Sequence, residues 1–283
     1  MREVEKKHKE DGVRITDADD AALIALTLTS LASILQDLSN EASKFGLKIS
    51  VPKTKWMKIG IPIEGDVLKL ETQTVEEVKE FKYLGSIVDK ENNTERDLDE
   101  RLKKANQAFK QLWRGLWKRR DIRLKTKMRV YRALIEPIAL YGAEAWTLTI
   151  KAKEKLDRFD RECMRVILGI KWYERVSDEE MRNRIKLEQL SERAVNRLIR
   201  WAGHVWRMDE NNLVRKVEKW TPIGRRKQGP QKPRWKDKAV GEARLRGVRG
   251  RDHHEIEEQA KDRIFWRNLT RPKGRETDHS ESV

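Results

Sequence analysis

The sequence has one cysteine in 283 residues, Cys163. A lone thiol closes no internal disulfide, so nothing in the cysteine usage points to secretion. No apolar run approaches the roughly 20 residues that a membrane-spanning helix requires. The first residues, MREVEK, are too charged for a signal peptide. An intracellular protein is expected, nuclear or cytoplasmic, with no secretion signal and no membrane partner. A Gly-rich phosphate loop and a Ser-His-Asp arrangement are also missing. Histidine is scarce: His204 stands alone, and His253-His254 has no Cys or third ligand at useful spacing, so no zinc site is expected.

Positive charge is abundant. Lys and Arg total 63 against 47 Asp and Glu, a net charge of +16. Such an excess points to a polyanionic partner, most commonly nucleic acid. The length allows a sizeable core in one large domain or two small ones.

The pattern changes three times along the chain. Residues 1–12 are charged and expected to be disordered. From 13 to 91 the signals are mixed. AALIAL (21–26) reads as a buried strand, and Leu31, Leu35, Leu38, Ala42 and Phe45 step at helical spacing before Gly46. LKIS, TKWMKIG, DVLKL and FKYLGSIV then read as short strands. Over 92–214 the strand signal disappears and amphipathic helices follow. One carries Leu98, Leu102, Ala105, Phe109, Leu112 and Leu116, and a second carries Leu124, Met128, Tyr131, Leu134 and Ile135 up to Pro137. A third carries Leu156, Phe159, Cys163, Val166 and Ile167, ending at Gly169. Thr94 with Asp97 and Ser177 with Glu180 suit capping boxes. A last helix runs from about Val195 to Met208. Residues 215–283 read as a basic linker, a short helix near Ile256–Trp266 and a polar tail. Between Gly224 and Arg251 the sequence holds eleven Lys or Arg and two acids.

Two stretches invite a chemical reading. In ITDADDAALIA (15–25), Asp19 and Asp20 stand side by side between apolar runs. Adjacent carboxylates repel and are costly to bury unpaired, so either the pair lies on an exposed turn or a cation sits between them. In KPRWKD, Trp235 is an aromatic among cations, an arrangement that stacks on unpaired bases while the cations track phosphates. Arg225, Arg226, Lys227, Lys232, Arg234 and Lys236 are the accompanying candidates for nucleic-acid binding. Trp113, Trp117, Trp146, Trp201 and Trp206 lie in or beside apolar stripes and are expected in the core, as is Cys163.

Six segments in this order carry a family resemblance: ADDAALIA, FGLKISVPKTKWM, FKYLGSIVD, IEPIALYGAEAWTL, LDRFDRECMRVILGI and LIRWAGHVWRM. The chain resembles the carboxy-terminal part of non-LTR retrotransposon reverse transcriptases of the endonuclease–reverse-transcriptase type, over roughly residues 13–269. The resemblance implies an α+β chain: a partial polymerase palm over 13–91, made of a small antiparallel sheet plus a helix, then a mainly α-helical thumb and a basic tail. It makes Asp19, and Asp20 beside it, magnesium ligands and catalytic residues. Two-metal nucleotidyl transfer needs such carboxylate oxygens. It places Lys53 near the incoming triphosphate. It also makes Phe81, Tyr83, Leu84 and Gly85 the primer-grip hairpin, where glycine permits a tight turn. The implied partners are an RNA template and a DNA primer or target, or single-stranded nucleic acid generally.

Two departures qualify that expectation. Asp17 stands where the family has an aromatic residue. The family's other catalytic Asp lies on an upstream strand, and MREVEKKHKEDG has no strand pattern. The chain alone is therefore expected to be inactive as an RNA-directed DNA polymerase. The alternative expectation is a non-catalytic nucleic-acid-binding remnant that acts through its basic thumb and tail.

Overall fold

A computed structural model describes residues 21–25, 27–58, 67–90, 94–220 and 233–271. The chain divides into two compact units, Met1–Asn93 and Thr94–Val283. Among the described residues, short strands and one helix make up the first and helices the second, so the fold class is α+β.

In the amino-terminal unit, helix α1 spans Leu28–Lys44. Thr27 caps it, its Oγ1 accepting from the Ser30 N–H at 3.1 Å. Gly46 terminates it with φ 73°, where the N–H groups of Gly46 and Leu47 bond back to Ser43 and Ala42. The stripe of Leu31 and Leu35 meets Trp56, Leu68, Leu70 and Val75 in a small core. Six short strands follow: β1 (Lys55–Trp56), β2 (Lys69–Leu70), β3 (Gln73–Thr74), β4 (Glu76–Glu77), β5 (Glu80–Tyr83) and β6 (Ser86–Asp89).

Among the described residues these strands do not join into the single small antiparallel sheet that the resemblance implies. They form three separate pairs, β2–β3 and β5–β6 antiparallel and β1–β4 parallel. Four of the six are only two residues long, too short to support a further neighbour on either edge. The stretch expected as a buried strand also differs. Ala22 makes one isolated bridge, Ala21 and Ile24 are exposed, and Leu26 lies outside the described residues. Residues 47–50 are irregular as well.

The helical unit contains α2 (Thr94–Gln111), α3 (Leu124–Val130), α4 (Glu136–Ala139), α5 (Ile150–Leu168), α6 (Asp178–Ile185), α7 (Leu190–Trp206), α8 (Leu213–Lys219), α9 (Trp235–Leu245), α10 (His253–Lys261) and α11 (Arg263–Leu269). Pro137 neither stops nor breaks its helix. Tyr131–Ile135 just before it wind as a wider π turn, with the Glu136 N–H donating to the Tyr131 carbonyl. The wider turn gives room to a ring that would otherwise press on the carbonyl four residues back. Gly169 ends α5 with φ 73°, and Ser177 caps α6 through the Glu180 N–H at 3.1 Å.

Helix α7 is the hub. Its Ala194, Val195, Leu198, Ile199 and Ala202 are fully buried, and it packs against α5, α8, α9, α10 and α11. At Gly203 the Trp266 ring comes so close that a methyl group there would lie 2.1 Å from its Nε1. That N–H donates to the Ile199 carbonyl at 2.8 Å. The segment read as a basic linker differs in its second half. From Trp235 it is helix α9, with Ala239 and Ala243 fully buried in the main core. The eleven cations mask this face, which Ala239, Val240 and Ala243 mark only by a short apolar stripe.

Among the charged groups buried in the bundle, Asp160 lies deepest. Asp160 is fully buried and accepts from Tyr131 Oη at 2.7 Å, Arg182 Nη1 at 2.6 Å and Arg193 Nη2 at 2.8 Å. Arg193 also pairs with Glu136. Burial opposes the charge on Arg193, but Asp160 and Glu136 outweigh it and hold the guanidinium above its ordinary pKa. Burial and Asp160 push the Tyr131 hydroxyl and the Cys163 thiol well up. Among the described residues, no helix is long and apolar enough to cross a membrane.

Candidate nucleic-acid interface

The densest described run of positive charge covers the end of α2, the turn that joins it to α3, and α3 itself. Between Lys110 and Arg132 the sequence holds ten Lys or Arg and one acid, Asp121. Nine of the ten are exposed: Lys110, Arg114, Lys118, Arg119, Arg120, Arg123, Lys125, Arg129 and Arg132. The lone acid is engaged by Arg119, whose Nε donates to Asp121 Oδ1 at 3.0 Å, and this bond holds the Asp121 carboxyl below the usual carboxylate range.

Contacts with the core brace this turn. Trp117 is buried and stacks on Phe109 with ring centroids 4.7 Å apart, its Nε1 donating to the Phe109 carbonyl at 2.7 Å. The tenth cation, Lys127, is buried, and its Nζ donates to the Trp117 carbonyl at 2.8 Å. Lys118 lies over the Trp113 ring at 5.0 Å. The exposed cations thus stand on and beside a turn tied at both ends to buried Trp117. Such an array meets a polyanion without first ordering its own backbone. Counting charge in windows along the sequence finds this run; the apolar stripes on either side, which mark α2 and α3, draw attention away from it.

The residues singled out by motif and resemblance are placed as follows. Asp19, Asp20, Arg225, Arg226, Lys227 and Lys232 lie outside the described residues. Lys53 is exposed in a turn before β1, its N–H donating to the Ser50 carbonyl at 3.0 Å. Phe81 and Tyr83 lie on β5. Leu84 and Gly85 form the β5–β6 turn with φ 46° and 82°, the positive values of primed hairpin turns. Leu84 is 53% exposed there. Trp235 opens α9 half-buried against the core, with its Nε1 donating to the Glu144 carbonyl at 2.8 Å. Arg234 and Lys236 flank it, and the Arg234 N–H bonds to Asp237 Oδ2 at 3.2 Å.

The fold also gathers groups that the sequence keeps apart. Glu218 of α8 meets His253 and Glu257 of α10, one candidate ligand atom of each lying within 4.8 Å of the others. The sequence shows only an i, i+4 His–Glu pair here; Glu218 arrives through the packing of two helices. Trp172 and Tyr173, in the loop after α5, are 90% and 65% exposed and meet edge to face.

Fold and surface together define an α+β chain whose helical unit carries a braced cationic turn. The sequence is similar to a Caenorhabditis elegans protein named as a putative uncharacterized transposon-derived protein. The two are 27% identical over 259 residues, covering 88% of this chain and 91% of that protein. With that coverage the likeness runs through both units. No family model matches the sequence, and no solved structure matches it.

Proposed function

We propose that this chain is a transposon-derived nucleic-acid-binding protein, a remnant of a non-LTR reverse transcriptase that holds RNA or DNA by its phosphates. The observation that carries this reading is the run from Lys110 to Arg132, the α2–α3 turn with the helix ends beside it, which presents nine exposed cations and one acid already engaged. Phosphate neutralisation with release of counterions is the interaction such a surface favours. The likeness to a transposon-derived protein supports the origin. On this reading the amino-terminal unit descends from a polymerase palm and the helical unit from its thumb. Asp19 and Asp20 then descend from a magnesium-binding hairpin, and Lys53 and the β5–β6 hairpin from sites near nucleotide and primer.

The test is affinity for a single-stranded oligonucleotide across a salt series. If six of the exposed cations meet phosphates, the log–log slope is about −4. Replacing Arg120, Arg123 and Lys125 by Gln should flatten it by about 2, at unchanged helical content. A parallel variant with Arg225, Arg226, Lys227 and Lys232 changed to Gln measures what the other basic run contributes. Binding that is absent, or indifferent to both sets of substitutions, would defeat the proposal.

A further inference from the structure

The α8–α10 contact holds three groups whose arrangement exceeds what an ion-pair lock between helices requires. Arg215 is 2% exposed and binds the outer oxygens of both glutamates: Nη1 donates to Glu218 Oε2 at 2.7 Å, and Nη2 donates to Glu257 Oε2. This leaves each Oε1 turned toward His253. Glu257 Oε1 lies 2.6 Å from Nδ1, one helical turn away on the same face. Glu218 Oε1 lies 3.4 Å from Nε2. Those last two atoms are both buried, and neither has a hydrogen-bond partner. The Glu218 side chain is only 3% exposed, whereas that of His253 is 31% exposed and leaves one side of the cluster open to solvent. A buried carboxylate oxygen and a buried ring nitrogen left unserved, facing one another, are costly unless something joins them.

We infer that Glu218 and His253 form a binding site for a zinc-class divalent ion. Donors about 2.0–2.1 Å from a tetrahedral ion stand about 3.4 Å apart, which is the separation of Glu218 Oε1 and His253 Nε2. Glu257 takes the place of the carboxylate that accepts from the other ring nitrogen of a metal-bound histidine and fixes its tautomer. Arg215 orients both carboxylates from behind, and the Trp206 ring, 5.3 Å from that of His253, walls one side. Imidazole with carboxylate suits zinc, cobalt or another first-row ion; magnesium and calcium prefer an all-oxygen shell. Two protein donors leave the remaining positions to water. The only thiol, Cys163, is buried, and burial holds its proton, so it does not compete for the ion.

The experiment uses the full chain, stripped of metal with a chelator, and titrates it with Co²⁺ and Zn²⁺ near neutral pH. Visible absorption and calorimetry give the readouts. The expected result is one Co²⁺ equivalent with a ligand-field band, displaced by Zn²⁺ and untouched by excess Mg²⁺. Glu218→Gln keeps a polar partner for Arg215, and this variant and His253→Ala should each abolish the band. Glu257→Gln should weaken binding about 10- to 100-fold. His254→Ala should change nothing, since its side chain is 78% exposed and outside the cluster. Folding of each variant is followed by circular dichroism. A wild-type chain that stays folded and binds no Co²⁺ overturns the inference, and that result does not depend on any variant. So does binding that survives His253→Ala and disappears when Asp19 and Asp20 become Asn.

Discussion

Asp160 shows at the scale of one residue how a charge survives in a helical core. It is fully buried, with two guanidinium groups and a phenol donating to its two oxygens. Removing one partner of such a set strands the others. Asp160→Asn is therefore expected to cost about 3–5 kcal/mol, read as a lower urea midpoint. Cys163 gives a second test. Burial first, then Asp160 and Glu162, push its thiol well up, so the folded chain keeps a proton that the unfolded chain releases near pH 8.5 or about there. This contribution to stability is complete below that pH and declines as pH rises above it. A disulfide reagent at pH 8 should label Cys163 only as fast as the chain unfolds; immediate labelling would contradict the burial.

At the scale of elements, close approach and strain decide more than propensity. Gly203 lets α11 lay Trp266 against α7, and any Cβ there meets the indole at 2.1 Å. Gly203→Ala must push the ring aside and cost its bond to Ile199, a loss of about 1–3 kcal/mol measurable by thermal melting. The β5–β6 turn runs the other way. Leu84 sits at φ 46°, a region that costs an L residue about 1–2 kcal/mol, so Leu84→Gly should stabilise the hairpin. Helix α9 changes how the basic run should be tested. Deleting residues 224–251 would remove Ala239 and Ala243 from the core, so helical content should fall with affinity. Substituting only the cations separates the two effects.

For the molecule as a whole, each unit has its own buried cluster. That of the second, from Leu98 to Trp266, draws on α2, α5, α7, α9, α10 and α11, whereas the first rests on Leu35, Trp56, Leu68, Leu70 and Val75. A fragment beginning at Thr94 is expected to keep its helical circular dichroism and unfold cooperatively. A residues 1–93 fragment, with so small a core and paired strands of two to four residues, should not. Loss of cooperativity in the Thr94 fragment would show that the helical cluster depends on the first unit.

How much of this was legible beforehand follows from the range of each interaction. The stripes of Leu31 to Leu38, Leu98 to Phe109, Leu156 to Ile167 and Val195 to Val205 announce α1, α2, α5 and α7, because helical periodicity and caps such as Ser177 and Gly169 are local. The excess of positive charge was equally plain, being a sum over the chain. Strand pairing was not: two-residue strands carry no alternation, and which ones meet depends on closure of the chain between them. Helix α9 was hidden because its buried face is a short stripe, Ala239, Val240 and Ala243, among cations. Trp235 was legible as an aromatic among cations, but its half-buried seat against the core and its N–H bond to Glu144 were not. The meeting of Glu218 with His253 and Glu257 has no sequence signature at all, because it is made by the docking of α8 beside α10, and only tertiary structure brings such distant side chains within reach.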